Sequence, residues 1–363
     1  MKTSASRVVL FTFAMVAAGT AADFNWNLPK GFPKPAVPPA NPMSEAKVEL
    51  GRYLFYDTRL SFNDKESCAT CHKQELAFTD GRAHAEGTTG QLHPRSSMSL
   101  VNVAYATSLT WANPALDSLE EQALGPMLNT EPIELGLKGH EQEFLEKLRR
   151  EPVYQRLFPL AFPDEANLYT LANVTKALAA FERTIISMRS PYDRYRWSGD
   201  MAAISDAAKR GELVFSSSER GRCFRCHDGW NFSSVRYAGS QEHPAEDSMR
   251  GFFNTGGSLY AAPNRGVYEY TKHAEDLGKF RAPTLRNVAV TGPYMHDGSF
   301  ATMEEVIDHY AVGGKYEDPN KSRILQPLKL SEGDKKDLVE FLKSLTDDEL
   351  LRDPRWSNPW VKQ

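Results

Sequence analysis

Cysteine is scarce in this chain, with four among 363 residues. All four fall in two Cys-x-x-Cys-His strings, Cys68-Ala-Thr-Cys71-His72 and Cys223-Phe-Arg-Cys226-His227, so no thiol is left over for a disulfide framework. Long apolar runs are missing beyond the N-terminus, which leaves no later segment fit to cross a membrane as a helix. Charge of one sign is not in excess either: the net charge is −4 and no Lys/Arg run occurs, so nucleic acid is not an expected partner. Strand-like alternation is scarce. The expected fold is therefore mainly α, with Pro and Gly plentiful enough for long loops.

What is present begins with an export signal. Lys2 and Arg7 precede an uncharged apolar run over residues 8–19, and the small residues Thr20, Ala21 and Ala22 follow. Residues 1–22 read as a secretory signal peptide cleaved before Asp23, which predicts a periplasmic mature protein with no membrane span. About a dozen apolar residues make a short run for a spanning anchor. In an exported chain four cysteines would ordinarily form two disulfides. Here the spacing predicts two covalently bound c-type haems: the thiols of each string add to the haem vinyl groups, and the adjacent His gives iron its proximal nitrogen. One such string would leave a zinc or redox site in contention; two that use every cysteine do not.

A weak internal repeat supports two cytochrome c-like haem domains in tandem, residues 23–198 and 199–363. Ser44-Glu-Ala-Lys-Val-Glu-Leu-Gly51-Arg-Tyr-Leu-Phe55 precedes the first motif and Ser205-Asp-Ala-Ala-Lys-Arg-Gly211-Glu-Leu-Val-Phe215 the second. Each opens with a capping Ser and an acidic first turn, and each places Gly one helical turn before Phe on the same face. A closing helix is predicted for each half, from the apolar stripes Val174, Ala177, Leu178, Phe181, Ile185 and Leu338, Phe341, Leu342, Leu345. These stripes read as core and carry no chemistry. Residues 189–200 read as a connector.

The two motifs, followed by Phe280-Arg-Ala-Pro-Thr-Leu-Arg-Asn-Val-Ala-Val-Thr-Gly-Pro-Tyr-Met-His-Asp-Gly298, resemble the bacterial di-haem cytochrome c peroxidase and MauG superfamily. Phe24-Asn-Trp-Asn-Leu-Pro29, Ser99-Leu-Val-Asn-Val-Ala-Tyr105 and Leu109-Thr-Trp-Ala-Asn-Pro114 look most like its MbnH group. The resemblance implies a peroxide-reactive haem on His72 and an electron-transfer haem on His227. It further implies that Tyr310 stands where peroxidases carry an axial Met, as in MauG. A phenolate there stabilises ferric and higher states, whereas a thioether favours ferrous iron. The alternatives are a buried core tyrosine at 310, or ligation by His309, Met303 or Met295.

By the same resemblance, Gln122 and Glu134 face peroxide, with Glu134 the acid–base group and Pro126 a pocket residue. Two extra residues before Pro132 leave Glu131 as a competitor. Trp111 matches an inter-haem Trp, though its flanks depart from the family's; the alternative is a packing aromatic. His93 lies where some relatives place a haem-capping loop His, but its spacing matches poorly, and His296 is expected to line the second haem's surroundings. Calcium at the domain junction is common in relatives, with Ser96 at the usual Asn position and backbone carbonyls near Lys272 and Ala274. The expected partners are hydrogen peroxide and a protein substrate, such as an MbnP-like copper-binding protein whose Trp becomes kynurenine. The competing readings are a peroxidase fed by a small electron-donor cytochrome, and a non-enzymatic electron carrier or sensor.

Overall fold

Ser44 and Ser205 each start a helix, and each hydroxyl accepts a hydrogen bond from a backbone N–H of the first turn, Lys47 and Ala208 respectively. A computed structural model describes residues 24–234, 251–257, 260 and 262–361 of the chain; the signal-peptide reading of residues 1–22 lies outside them. The described chain is mainly helical, with one pair of two-residue strands, Phe252–Phe253 antiparallel to Phe280–Arg281.

The glycines of the repeat explain how the helices pack. The Glu45–Phe55 helix crosses the Leu171–Glu182 helix, and the Asp206–Phe215 helix crosses the Glu332–Lys343 helix; these are the two most extensive helix pairings among the described residues. A Cβ on Gly51 would lie 1.9 Å from the Ala177 carbonyl oxygen, and one on Gly211 would lie 2.0 Å from that of Asp337. Backbone meets backbone at both crossings, so only glycine fits. One turn later Phe55 and Phe215 are buried in the seam, against Phe181 at 5.1 Å and Phe341 at 5.2 Å between ring centroids.

Two apolar clusters follow from these crossings. One holds Leu50, Leu54, Phe55, Val174, Phe181 and their neighbours; the other holds Ala208, Val214, Phe215, Leu338 and Phe341. The chain exchanges residues between them. Tyr192 belongs to the second cluster, while Leu350 and Trp356 return to the first. The return is tied down: Trp356 donates to the Thr184 carbonyl (3.0 Å), Trp360 to that of Tyr53 (3.0 Å), and Tyr56 to that of Trp356 (2.6 Å). Residues from each side of position 198/199 thus pack in the other side's cluster.

The stretch read as a connector contains a helix, Pro191–Trp197. Ser190-Pro191 starts it: Ser190 and Asp193 form a capping box, and Pro sits at the first helical position, where no N–H is needed.

Gly51→Ala and Gly211→Ala are expected to destabilise the protein by about 1–3 kcal/mol each, the range for overpacking a fixed core. Gly333→Ala, whose Cβ would meet only Ser331 Oγ at 3.6 Å within a helix, is expected to be neutral or to stabilise by about 0.5–1 kcal/mol. Thermal unfolding of the three variants checks both expectations; equal losses would mean that the crossings yield.

Candidate active site

Each Cys-x-x-Cys-His string forms a short helical turn that carries its His into the wall of a cavity. The turns are Cys68–Cys71 and Cys223–Arg225. The imidazoles are fixed in matching ways. His72 Nδ1 is 2.8 Å from the Phe78 carbonyl oxygen, and His227 Nδ1 is 3.2 Å from that of Phe232 and 3.1 Å from that of Pro283. A carbonyl can only accept, so Nδ1 carries the proton and Nε2 is left as a lone-pair donor. Phe78 and Phe232 adopt positive φ, +60° and +49°, a costly conformation for a bulky residue. That strain falls on two of the three residues whose carbonyls hold the histidines. Burial lowers the pKa of both rings and keeps them neutral, the form that binds iron.

The match extends further along the chain. Ser99-Leu-Val-Asn102-Val-Ala and Thr284-Leu-Arg-Asn287-Val-Ala are equivalent segments: Asn102 and Asn287 have φ of +59° and +62°, and each precedes a short 3₁₀ turn. The shared Leu-x-Asn-Val-Ala pattern is the sequence signal that pairs the two turns.

The first cavity brings Gln122, Pro126 and Glu134 together with Cys68, Cys71 and His72. Glu134 is carried by a loop that is pinned on several sides. Its carbonyl accepts from Thr88 (2.8 Å), the Gln91 side chain accepts from Ile133 N–H (2.8 Å), and Leu135 N–H donates to Pro126 (2.9 Å). Burial alone raises the Glu134 pKa to about 7. Glu131 is exposed and does not line the cavity. His93, given no role by its spacing, lines the same wall, where its Nδ1 accepts from Arg95 N–H (3.1 Å).

Sequence reasoning also missed Glu182. It sits at the end of an apolar helical stripe, yet its buried carboxyl lines the first cavity, Oε2 has no partner, and burial raises its pKa to about 8. A Glu beside Phe181 in an otherwise apolar run was the available signal.

The second cavity is lined by Cys223, Cys226, His227, Trp111 and Tyr310. Tyr310 projects into it from the Met303–Ala311 helix, which Thr302 and Glu305 cap. His309 does not compete: its Nε2 donates to the Thr255 carbonyl (3.0 Å) and its Nδ1 accepts from Lys315 N–H (3.1 Å). Both ring nitrogens are engaged by backbone. Burial raises the pKa of the Tyr310 phenol, so a cation opposite the oxygen is required to favour phenolate. Met303 and Met295 also line the cavity, while His296 stacks on Phe280 at 3.5 Å between centroids.

Trp111 lines the second cavity and not the first, and its indole N–H donates to the Ser96 carbonyl at 2.8 Å. The next residue, Ser97, hydrogen-bonds Cys71 of the first motif. The indole therefore lies one short stretch of backbone from the first site. Of the expected calcium contacts, the Ser96 hydroxyl donates to Met295 (3.3 Å) and the Ala274 carbonyl accepts from Asn320 (2.9 Å).

These residues fit two haems. Each cavity offers one fixed neutral imidazole beside two thiols, and the four thiols are free of one another. Among the described residues no group of three His, Cys, Asp or Glu converges as a zinc site would. In the second cavity the buried Arg281 has Nε without a partner, as does His296 at Nε2; both suit the anionic edge of a porphyrin.

If Glu134 is the group that takes the proton of peroxide, Glu134→Gln slows the reaction of the loaded protein with peroxide by about 10²-fold or more. Below pH 7 the carboxyl is protonated and cannot act as base, so the wild-type rate is expected to rise with pH through about 7. Stopped-flow rates across pH check this; the same loss in Glu131→Gln, or an unchanged profile in Glu134→Gln, would sink the assignment.

Comparison with known proteins agrees with this arrangement. The family model of di-haem cytochrome c peroxidases matches residues 45–202. The cytochrome-c peroxidase IdrP1 of Denitromonas iodatirespirans is 38% identical, over 94% of this chain and 92% of its own. The methylamine utilization protein MauG of Methylorubrum extorquens is 37% identical, over 85% and 80%. The crystal structure of a MauG-like protein associated with microbial copper homeostasis superposes with a TM-score of 0.86 at 40% identity, covering 93% of this chain and all of that one. The chain belongs to the di-haem cytochrome c peroxidase and MauG family of peroxide-dependent oxidoreductases.

Proposed function

We propose that the chain is an exported, periplasmic MauG-type oxidase that uses hydrogen peroxide to oxidise an aromatic side chain of a partner protein. The observation that carries this reading is Tyr310 in the wall of the second cavity, with both nitrogens of neighbouring His309 engaged elsewhere. Covalently bound haems at the two motifs would supply the iron that reacts with peroxide and stores oxidising equivalents. Glu134 takes a proton from peroxide and returns it to the departing oxygen, and Gln122 and Pro126 shape the approach. Trp111 passes electrons between the sites. Tyr310 would hold the second haem together with His227, and an anionic oxygen there would favour oxidised iron over the ferrous state a donor cytochrome would require.

Likeness to the MauG-like protein associated with copper homeostasis supports a copper-binding partner of the MbnP type, with Trp converted to kynurenine. Two peroxides per tryptophan balance that conversion, releasing formate and one water. Mass spectrometry of the partner, expressed with and without this protein, tests it. An unmodified partner in both cases would remove this substrate.

A second reading is favoured by His93 in the first cavity wall: a peroxidase activated when reduction displaces that His, with electrons from a small cytochrome. Stoichiometric peroxide added to the diferric protein separates the two. The oxidase reading expects a long-lived state two electrons above diferric in optical and Mössbauer spectra, lost in Tyr310→Met. Reactivity only after half-reduction, with rapid oxidation of reduced cytochrome c, would establish the peroxidase instead.

A further inference from the structure

Oxidising equivalents held at the second site need a route to a protein too large to enter the cavity. Trp230 follows His227 by three residues and does not itself line the second cavity. Its carbonyl accepts from Arg286 Nε (3.1 Å) and Nη2 (2.7 Å), and Arg286 itself lines the cavity. The ring of Trp230 meets Phe32 edge-on at 5.9 Å between centroids, and Phe32 meets Trp197 at 5.6 Å. Trp197 ends the Pro191–Trp197 helix and is 56% exposed; the other five tryptophans are buried or partly buried.

We infer that Trp230 and Trp197, bridged by Phe32, form the path by which electrons enter from the partner protein, and that the partner presents its oxidisable side chain at Trp197. The inference rests on the oxidase reading. An indole loses an electron more readily than any other uncharged side chain, so two indoles divide one long transfer into shorter steps. Tunnelling falls off exponentially with distance, which makes the divided path faster. Phe32 is not oxidised; it fills the gap between the indoles with packed atoms where solvent would otherwise stand.

The surroundings of Trp230 suit transient oxidation. The Arg286 guanidinium lies over its ring at 5.5 Å, which alone would oppose a positive charge on the indole. Asp193 cancels that opposition through a bidentate pair with Arg286 at 2.8 and 2.9 Å. Tyr105 packs edge-on against the ring at 4.8 Å between centroids, holding it in place. The electrons balance: each donation takes one electron from the partner's aromatic group, which releases a proton. Two donations and two protons reduce one hydrogen peroxide to two waters.

The test needs no partner. Peroxide in small excess over the haem-loaded wild-type protein is expected to leave added oxygen on Trp197, mapped by peptide mass spectrometry. Trp230→Phe and Phe32→Leu are each expected to reduce that oxidation to the level seen without peroxide. Equal oxidation of Trp197 in the wild type and both variants would mean direct attack from solvent and would overturn the relay. Oxidation of a different surface residue, with Trp197 intact, would overturn it while leaving the oxidase reading in place. No oxidised residue anywhere, with peroxide consumed only when reduced cytochrome c is supplied, would remove both.

Discussion

The relative placement of the two sites depends on a buried hydrogen-bond network between the two apolar clusters. Asn287 donates to Ser187 (3.0 Å) and accepts from Asp347 N–H (2.7 Å); Asn102 accepts from Ser187 N–H (2.9 Å) and donates to Asn231 (2.8 Å). Asp347 in turn accepts from the backbone N–H groups of Met188 and Arg189 at 3.1 and 3.0 Å. These groups are almost wholly buried, so each unmade bond would leave a costly orphan. A network that must be satisfied completely permits one arrangement, and electron transfer between fixed sites requires one.

The same asparagines form the equivalent turns of the two halves. Their left-handed conformation is open to Asn at modest cost, and a 3₁₀ turn follows each. One local device, used twice, thus sits in the network that locks the halves together. The halves then diverge where their chemistry does. The first cavity carries two carboxyls whose pKa burial raises toward neutrality, Glu134 and Glu182, which suits the handling of protons. The second carries Tyr310, Trp111 and a buried guanidinium, which suits holding and moving charge.

Much of this was legible in the chain. The capped helices, the closing helices and the Gly–Phe spacing are local patterns, and the structure returns them; the two Cys-x-x-Cys-His strings lie in cavity walls. Glu134 was preferred over Glu131 on likeness alone, and the geometry supplies the physical reason: one side chain faces the cavity and the other faces solvent. The tie between the C-terminal residues and the first cluster was not legible, because a Trp in a Pro-rich tail carries no periodicity to announce its contact. Neither was His93, whose place in the wall depends on loop closure rather than spacing. The helix within residues 189–200 was not legible because Ser-Pro suits a turn and a helix start alike, and Asp193, three residues after Ser190, is the deciding sign. Glu182 was hidden by its setting: a stripe that reads as core can also be the wall of a cofactor cavity.

The ligand wall and the route outward point the same way. A site built to accept electrons readily from outside would gain from a thioether that raises its potential; an anionic phenolate does the reverse and favours iron that stays oxidised. Such a site draws electrons only from a donor brought close, or through an intermediate that is itself readily oxidised. Tryptophan is such an intermediate, and the tryptophan nearest His227 in the chain leads through Phe32 to the exposed Trp197 rather than to a surface cleft. In the proposed oxidase, peroxide, small and in need of protons, would be met where carboxyls are buried. A protein donor, large and offering only an electron, would be met at the surface. On that reading the fold keeps the two demands on separate halves, and Trp111, one short stretch of backbone from the first site, would join them.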